Sequence, residues 1–290
     1  LLTAETLGNN HVCRGFKFLI MLQGALFKYG PKSIQSAFCS GNGRYHAVFV
    51  PGLTDGLLSH SYLKPLSQRL NEQGWSLVQP LLTSSYTGWG MSSLDEDADE
   101  LLMLTRDLAT EHGSEGIVII GHSTGCQDAV RYAQRFRRDA EAPPLMGVVL
   151  QAPVSDREFL STMPRVMELT PRAREMVAEG RGEDVLARDI FGEGTPSFMS
   201  ARRFLSLAER GGDDDMFSSD LTDGELGGIL GCLSGTPTLV LVSGDDECVP
   251  PHVDKAATAG RMCRAIGPAA ELVVVEGACH SLAGKEDEAA

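Results

Sequence analysis

Residues 117–128 read IVIIGHSTGCQD, and this stretch limits the fold more than any other. Ile117, Val118, Ile119 and Ile120 are β-branched and do not alternate with polar residues. That is the pattern of a strand buried on both faces, as in the middle of a parallel sheet. Gly121-His122-Ser123-Thr124-Gly125 follows at once, and Ala129, Val130, Ala133 and Phe136 then recur at helical spacing. Strand, G-x-S-x-G, helix is the pattern of a nucleophile elbow. The two glycines have a steric reason. A serine raised on a sharp strand-to-helix turn leaves no room for a side chain at position 121 or 125. The turn would lift the Ser123 hydroxyl clear of the sheet and put the Thr124 N–H at a helix N-terminus, facing a developing oxyanion.

The rest of the chain alternates in the same way. Strands are expected at Tyr45–Val50, Trp75–Leu82, Gly147–Gln151, Thr238–Val242 and Glu271–Val275. Helices are expected at Ser59–Gln73, Leu94–Glu111, Cys126–Arg138 and His252–Ile266. Repeated strand-helix alternation implies an α/β fold with a mostly parallel central sheet and helices on both faces. The alternation stops between Ser155 and Gly235, where helices near 158–167, 171–179, 185–190 and 200–210 are expected and no strand. The organisation is therefore a core of residues 14–154 and 236–290, with residues 155–235 inserted as a helical cap. Phe16–Leu22 and Ala25–Tyr29 are expected as two short strands broken by Gly24, followed by a polar loop over 36–43. The apolar stretch 16–27 contains Lys17 and Gln23 and falls short of the roughly 20 residues a membrane helix needs. The chain begins at Leu1 rather than methionine, which leaves open a leader preceding it.

A serine hydroxyl is a weak nucleophile at neutral pH and needs a base, itself oriented by a third group. In the order that goes with a G-x-S-x-G elbow the acid follows the serine and the histidine comes last. His280 is the histidine placed after the final strand. For the acid, Asp246 stands in a D-x-x-V-P frame with Val249 and Pro250, with Asp245 and Asp156 as alternatives. The oxyanion donors are expected at the N–H of Thr124 and of Leu53, with Thr54 as the alternative to Leu53. Thr54, Asp55, Tyr86, Trp89 and Arg157 leave strands at the same sheet edge and are candidate pocket residues. A salt bridge to the acidic cap is the competing use for Arg157.

A net charge of −14 argues against nucleic acid and anionic membrane as partners. Neither a G-x-G-x-x-G after a strand nor a phosphate-binding loop sequence is present, so no nucleotide cofactor is inferred. Asp213-Asp214-Asp215 reads as a solvated loop rather than a cation site. Seven cysteines without a C-x-x-C pair suggest neither a disulfide framework nor a zinc site, and a cytoplasmic, reducing location is the simplest reading. No metal and no cofactor are expected. Cys126, Cys248 and Cys279 fall beside the candidate serine, acid and base. The preferred reading is that all three are small buried apolar residues, with burial raising the thiol pKa; the alternative is a reactive thiol, and Cys126, at a helix start, is the one whose thiol the dipole would acidify.

With PGLTDGLL at Pro51, GWSLVQPLLTSSYTGWG at Gly74, GHSTGCQD at Gly121, LQAPVSDRE at Leu150, DDMFSSDL at Asp214 and SGDDECVP at Ser243, the chain resembles the α/β-hydrolase superfamily over nearly its whole length. Within it, the chain is similar to the DUF1749 (UPF0613) family, whose fungal members include siderophore esterases that hydrolyse fusarinine C. The resemblance implies Ser123, Asp246 and His280 as a triad and an ester as substrate, with a hydroxamate ester of the siderophore type as a candidate. It implies a small-molecule partner, with monomer and homodimer both open. The charged cap segment Arg172–Glu193 departs from the family pattern, and caps set specificity. Three classes stay in contention: an ester hydrolase, a thioesterase or amidase with the same triad, and a non-catalytic protein of this fold that binds a small ligand.

Overall fold

The computed structural model describes residues 21–188, 190 and 198–289. Eight strands form one sheet in the order β1-β2-β4-β3-β5-β6-β9-β10. They are β1 (Ala25–Lys28), β2 (Ser36–Ser40), β3 (Tyr45–Val50), β4 (Trp75–Leu81), β5 (Gly116–His122), β6 (Leu145–Gln151), β9 (Thr238–Ser243) and β10 (Ala270–Val275). Only the pairings of β2 with β1 and with β4 are antiparallel; β4 through β10 run parallel. β5 lies between β3 and β6, with Ile119 beside Val48 on one side and Val148 on the other. Side chains are covered on both faces there, so the unbroken Ile-Val-Ile-Ile run is what the position demands.

Helices cover both faces. On one side α2 (Leu94–Thr110), α3 (Gly125–Phe136), α7 (Asp223–Leu230) and α8 (Lys255–Ile266) pack on the largest core, which holds Leu101, Leu104, Val130, Tyr132, Leu226 and Met262. On the other, α1 (Leu63–Glu72) and α9 (Glu286–Ala289) close a smaller core around Phe49, Tyr62, Leu63 and Leu77. The start of α2 is written in its sequence. The Ser93 hydroxyl accepts from the Glu96 N–H, and Asp95, Glu96 and Asp97 crowd the positive end of the dipole. Buried leucines at 94, 101, 104 and 108 then hold it on the sheet, each worth roughly 1.5–3 kcal/mol of transfer free energy.

Between β6 and β9 the chain forms α4 (Asp156–Leu160), α5 (Pro164–Ala178), the strand pair β7 (Val185–Ala187) and β8 (Met199–Ser200), α6 (Ala201–Ala208), and then α7. Leu160, Val166, Leu169, Ala173 and Phe204 form a third core, which Trp89 and Leu53 from the loops after β4 and β3 join. This insertion therefore lies over loops at the carboxyl ends of the parallel strands.

Several local expectations are corrected. Residues 185–190, expected as a helix, begin with β7, because Val185 and Ala187 find antiparallel partners in Ser200 and Met199. Residues 36–40, expected as loop, form β2, whose Ala37 and Cys39 are buried while two serines obscure the alternation. The α7 helix went unseen because Gly224, Gly227 and Gly228 depress its propensity by about 1 kcal/mol each. A Thr222–Glu225 capping box and burial of Leu226 and Leu230 hold it nonetheless. Pro171 does not divide two helices but sits inside α5. Most of the strand expected at Phe16–Leu22 lies outside the described residues. Among the described residues, no helix is long and apolar enough to cross a membrane.

Candidate active site

Ser123 joins β5 to α3 with φ of 53°, a left-handed conformation that costs a non-glycine residue of order 1–3 kcal/mol. The crowding that enforces it is explicit. A Cβ on Gly121 would stand 2.2 Å from the Gly125 carbonyl oxygen, and one on Gly125 would stand 2.1 Å from that of Val50. The helix thus presses on the strand that feeds it and on its neighbour β3. Gly52, in the loop after β3, approaches so closely that a Cβ there would lie 2.9 Å from Ser123 Cβ.

His280 and Asp246 come together from the loops after β10 and β9. His280 Nδ1 lies 2.9 Å from both carboxylate oxygens of Asp246. Asp246 is 3% exposed, and it also accepts the Cys248 N–H at 2.9 Å. The His280 N–H donates to Glu247 Oε2 at 2.8 Å. Burial opposes the charged imidazolium, but contacts with Asp246 and Cys248 outweigh it and hold the His280 pKa well above the ordinary value. Asp245 has no contact with His280 of this kind. Asp156 lies elsewhere, buried at the start of α4, where it accepts from Gln127 Nε2 at 2.6 Å.

Gln151, at the end of β6, ties these parts together; it lies in the LQAPVSDRE stretch, but nothing in that stretch assigns it this role. Its carbonyl accepts the Ser123 N–H at 3.0 Å. Its side-chain oxygen accepts from His122 Nδ1 and from the Tyr62 hydroxyl, and its Nε2 donates to the His280 carbonyl at 3.1 Å. Gln151 thus bonds to both Ser123 and His280. The His122 ring lies 4.0 Å from that of His60 and 4.9 Å from that of His280. Burial pushes His122 well below its usual pKa and His60 down to about 3, so both rings are neutral.

The loop after β3 supplies the remaining parts. The Leu53 N–H donates to Thr124 Oγ1 at 2.9 Å, so this amide and the N-cap of α3 are fastened to each other. Thr54 is left-handed, with φ of 69°. The Asp55 carboxyl is pushed up to about 6 by burial, partly offset by the charge of His280. Tyr86 is 45% exposed, and its hydroxyl accepts the Leu57 N–H at 3.2 Å. Trp89 is 2% exposed and packs with the inserted helices. Arg157 takes the competing use named for it: it pairs with Asp215 at 3.1 Å and with Asp220.

Two other readings change, and the burial reading of Cys126 holds. Asp213-Asp214-Asp215 is not a solvated loop, since Asp214 binds the buried Arg203 at 2.6 Å and Asp215 binds Arg157. Cys126 is fully buried, its Sγ aimed at the Gly121 and Gln151 carbonyls, and burial drives its pKa well up rather than down. Cys279 is disulfide-bonded, against the expectation of free thiols throughout.

Comparison with known proteins accords with this geometry. The model of the family described as "Protein of unknown function (DUF1749)" matches residues 19–290. Fusarinine C esterase sidJ of Aspergillus fumigatus is 35% identical over 286 residues, covering 81% of this chain and 80% of that protein. Esterase AN6793 of Emericella nidulans is 30% identical over 326 residues, covering 90% and 87%. Among solved structures, the siderophore hydrolase EstB of Aspergillus fumigatus superposes with a TM-score of 0.76 at 30% identity, over 93% of this chain and 95% of that one.

Proposed function

The chain belongs to the DUF1749 family of α/β hydrolases, and from that premise we propose that it is a serine esterase working through Ser123, His280 and Asp246. The observation that carries the reading is the two-fold contact of Asp246 with His280 Nδ1 at 2.9 Å. A carboxylate only accepts, so Nδ1 carries the hydrogen and Nε2 keeps its lone pair for the serine proton.

In this reading Ser123 Oγ attacks the ester carbonyl as its proton passes to Nε2. The negative oxygen settles on the Thr124 N–H at the positive end of α3, and the Leu53 N–H becomes the second donor only by exchanging its bond to Thr124 Oγ1 for the oxyanion. His280 then hands its proton to the departing alcohol, leaving an acyl-serine that water cleaves by the reverse sequence. Asp246 is buried and fixed, so the imidazolium is stabilised without any proton reaching the carboxylate. The segment 155–235 is taken as a cap that sets the substrate, since it packs on Trp89 and Leu53 at the site's edge. Relatives named as a fusarinine C esterase and a siderophore hydrolase favour a siderophore-type ester as substrate.

The test pairs a fluorophosphonate probe with hydrolysis of fusarinine C and of a p-nitrophenyl ester. Labelling should fall on Ser123, and Ser123→Ala should lower turnover by on the order of 10⁴–10⁶ with its melting temperature nearly unchanged. Turnover within about tenfold of wild type would sink the serine assignment. Cleavage of the synthetic ester alone would keep the esterase and reject the siderophore substrate.

A further inference from the structure

The side chains beside the base include one that the proposed reaction does not use. Cys248 is a free thiol, partly exposed, two residues beyond Asp246. One ligand atom each of Asp246, Cys248 and His280 lies within 4.8 Å of the others. We propose that these three residues form a binding site for a thiophilic divalent cation of the zinc class, and that filling it switches the hydrolase off.

The donor set fits such an ion. Zinc takes cysteine sulfur, histidine nitrogen and carboxylate oxygen together, commonly three protein ligands with water in the fourth position. Tetrahedral bonds of about 2.0–2.3 Å place neighbouring ligand atoms about 3.3–3.6 Å apart. The Asp246–His280 pair, now 2.9 Å apart, would open by a few tenths of an ångström, and the thiol would close by about one. The set is half assembled already, because the Cys248 N–H holds Asp246 Oδ1 at 2.9 Å and the Glu247 carboxylate holds the His280 backbone. Access is open, since both His280 and Cys248 are only partly buried.

The chemistry of inhibition follows from where the ion sits. It would replace the hydrogen that His280 Nδ1 now shares with Asp246. The Cys248 thiol releases its proton to water, the hydrogen of Nδ1 passes through solvent to Nε2, and three protein–metal bonds form with no change of oxidation state, leaving Nε2 without the lone pair that would take the serine proton. A metal-bound imidazole is a poor base, and Asp246 can no longer stabilise the imidazolium that serine attack requires. The effect should approach what a positioned general base contributes, about 10²-fold or more. The sequence spacing hides the site, as the histidine arrives from a different loop, 34 positions beyond the acid.

This inference rests on the esterase reading only for its inhibitory half; the ion site is testable without turnover. Metal-free full-length protein is titrated with cadmium while the ultraviolet thiolate-to-metal charge-transfer band is followed. It is titrated separately with zinc during p-nitrophenyl ester hydrolysis, then treated with chelator. Wild type should show the band and lose about 10²-fold in turnover, with recovery on chelation. Cys248→Ser and Cys248→Ala should lose the band and, each measured against its own metal-free turnover, need at least about tenfold more zinc for the same fractional inhibition. Absence of the band, or equal zinc sensitivity in wild type and both variants, overturns the proposal. So does inhibition that survives in the Cys248 variants but is lost in His60→Gln, which would put the ion among Asp55, His60 and His122, the other ligand cluster of this region. If wild type cleaves no ester, the esterase reading fails, and the cadmium band still decides the site.

Discussion

At the rim of the sheet Asp246 and His280 meet one to one, and the Cys248 N–H, the Glu247 carboxylate and Gln151 Nε2 hold that geometry. About 50 residues earlier in the chain, Arg203 of the insertion is buried at 4% exposure among carboxylates that outnumber it. It binds Asp214 at 2.6 Å and the Trp89 carbonyl at 3.1 Å, and it faces Asp97 and Asp128 of the core and Asp156 at the start of α4. Burial pushes Asp97 and Asp156 up to about 7 and Asp128 well above its usual range. Buried side-chain oxygens of Asp128 and Asp214 lack a hydrogen-bond partner. The rim pair spends its charge on orientation. The arginine hub joins the insertion to the core, and it can keep that many carboxylates only by holding some of them protonated. Proximity of acid to cation does not by itself mark a reaction site: what separates the two is whether the acid fixes a base beside a nucleophile.

The sharpest way to break this contrast is to neutralise one acid in each region. Asp246→Asn should cost on the order of 10⁴ in turnover, because an amide favours the wrong tautomer of His280. Asp156→Asn should stay within about tenfold of wild type, since its partner is Gln127 rather than the base. The reverse ranking, read from kcat on a common ester, would move the acid to the loop after β6.

Next in size is the hub's contribution to stability. Arg203→Ala strands its carboxylates and should cost about 3–5 kcal/mol in denaturant unfolding. A loss under about 1 kcal/mol would mean that the insertion is held by its apolar core alone.

The smallest effect is a slope. The Asp97 carboxyl titrates at about 7 when folded against 3.8 as its ordinary value, so the native state binds more protons between those limits. The stability this confers is present below about pH 4 and is lost as pH rises through about 7. Asp97→Asn removes the titration, so over that window it should gain on wild type by up to about 1.4 kcal/mol per pH unit. Turnover should move the opposite way in wild type, rising with pH as His280, raised above 6.5, becomes neutral. Parallel stability curves for the two proteins would show that Asp97 is ionised throughout.

Legibility followed the range of the interactions. The elbow was readable because its constraints are local: Gly121 and Gly125 are fixed by contacts within a few residues and with an adjoining strand. His280 and Asp246 could be placed because each ends a strand whose apolar run is plain, and order along the chain supplied the rest. Gln151 was invisible, since its value comes from three segments that meet only in space. Asp214 looked solvated because nothing nearby in sequence predicts that Arg203, one turn of α6 and a loop away, turns inward. β7 and β8 owe their form to each other, not to propensity, and α7 carries glycines that its capping box and two buried leucines override.

The bond from Gln151 Nε2 to the His280 carbonyl also bears on how the protein is made. β5, the elbow and β6 leave the ribosome long before β9, β10 and the loop that bears the histidine. At roughly 5–20 residues per second, the stretch from Ser123 to His280 takes on the order of ten to thirty seconds to synthesise. Under the proposed triad, the nascent chain would through that interval have its serine but no base, while the glutamine that will fasten the histidine loop is already in place. Reactivity would then arrive only when the histidine loop docks, and a polypeptide cut short before residue 280 would carry the strained serine without its base.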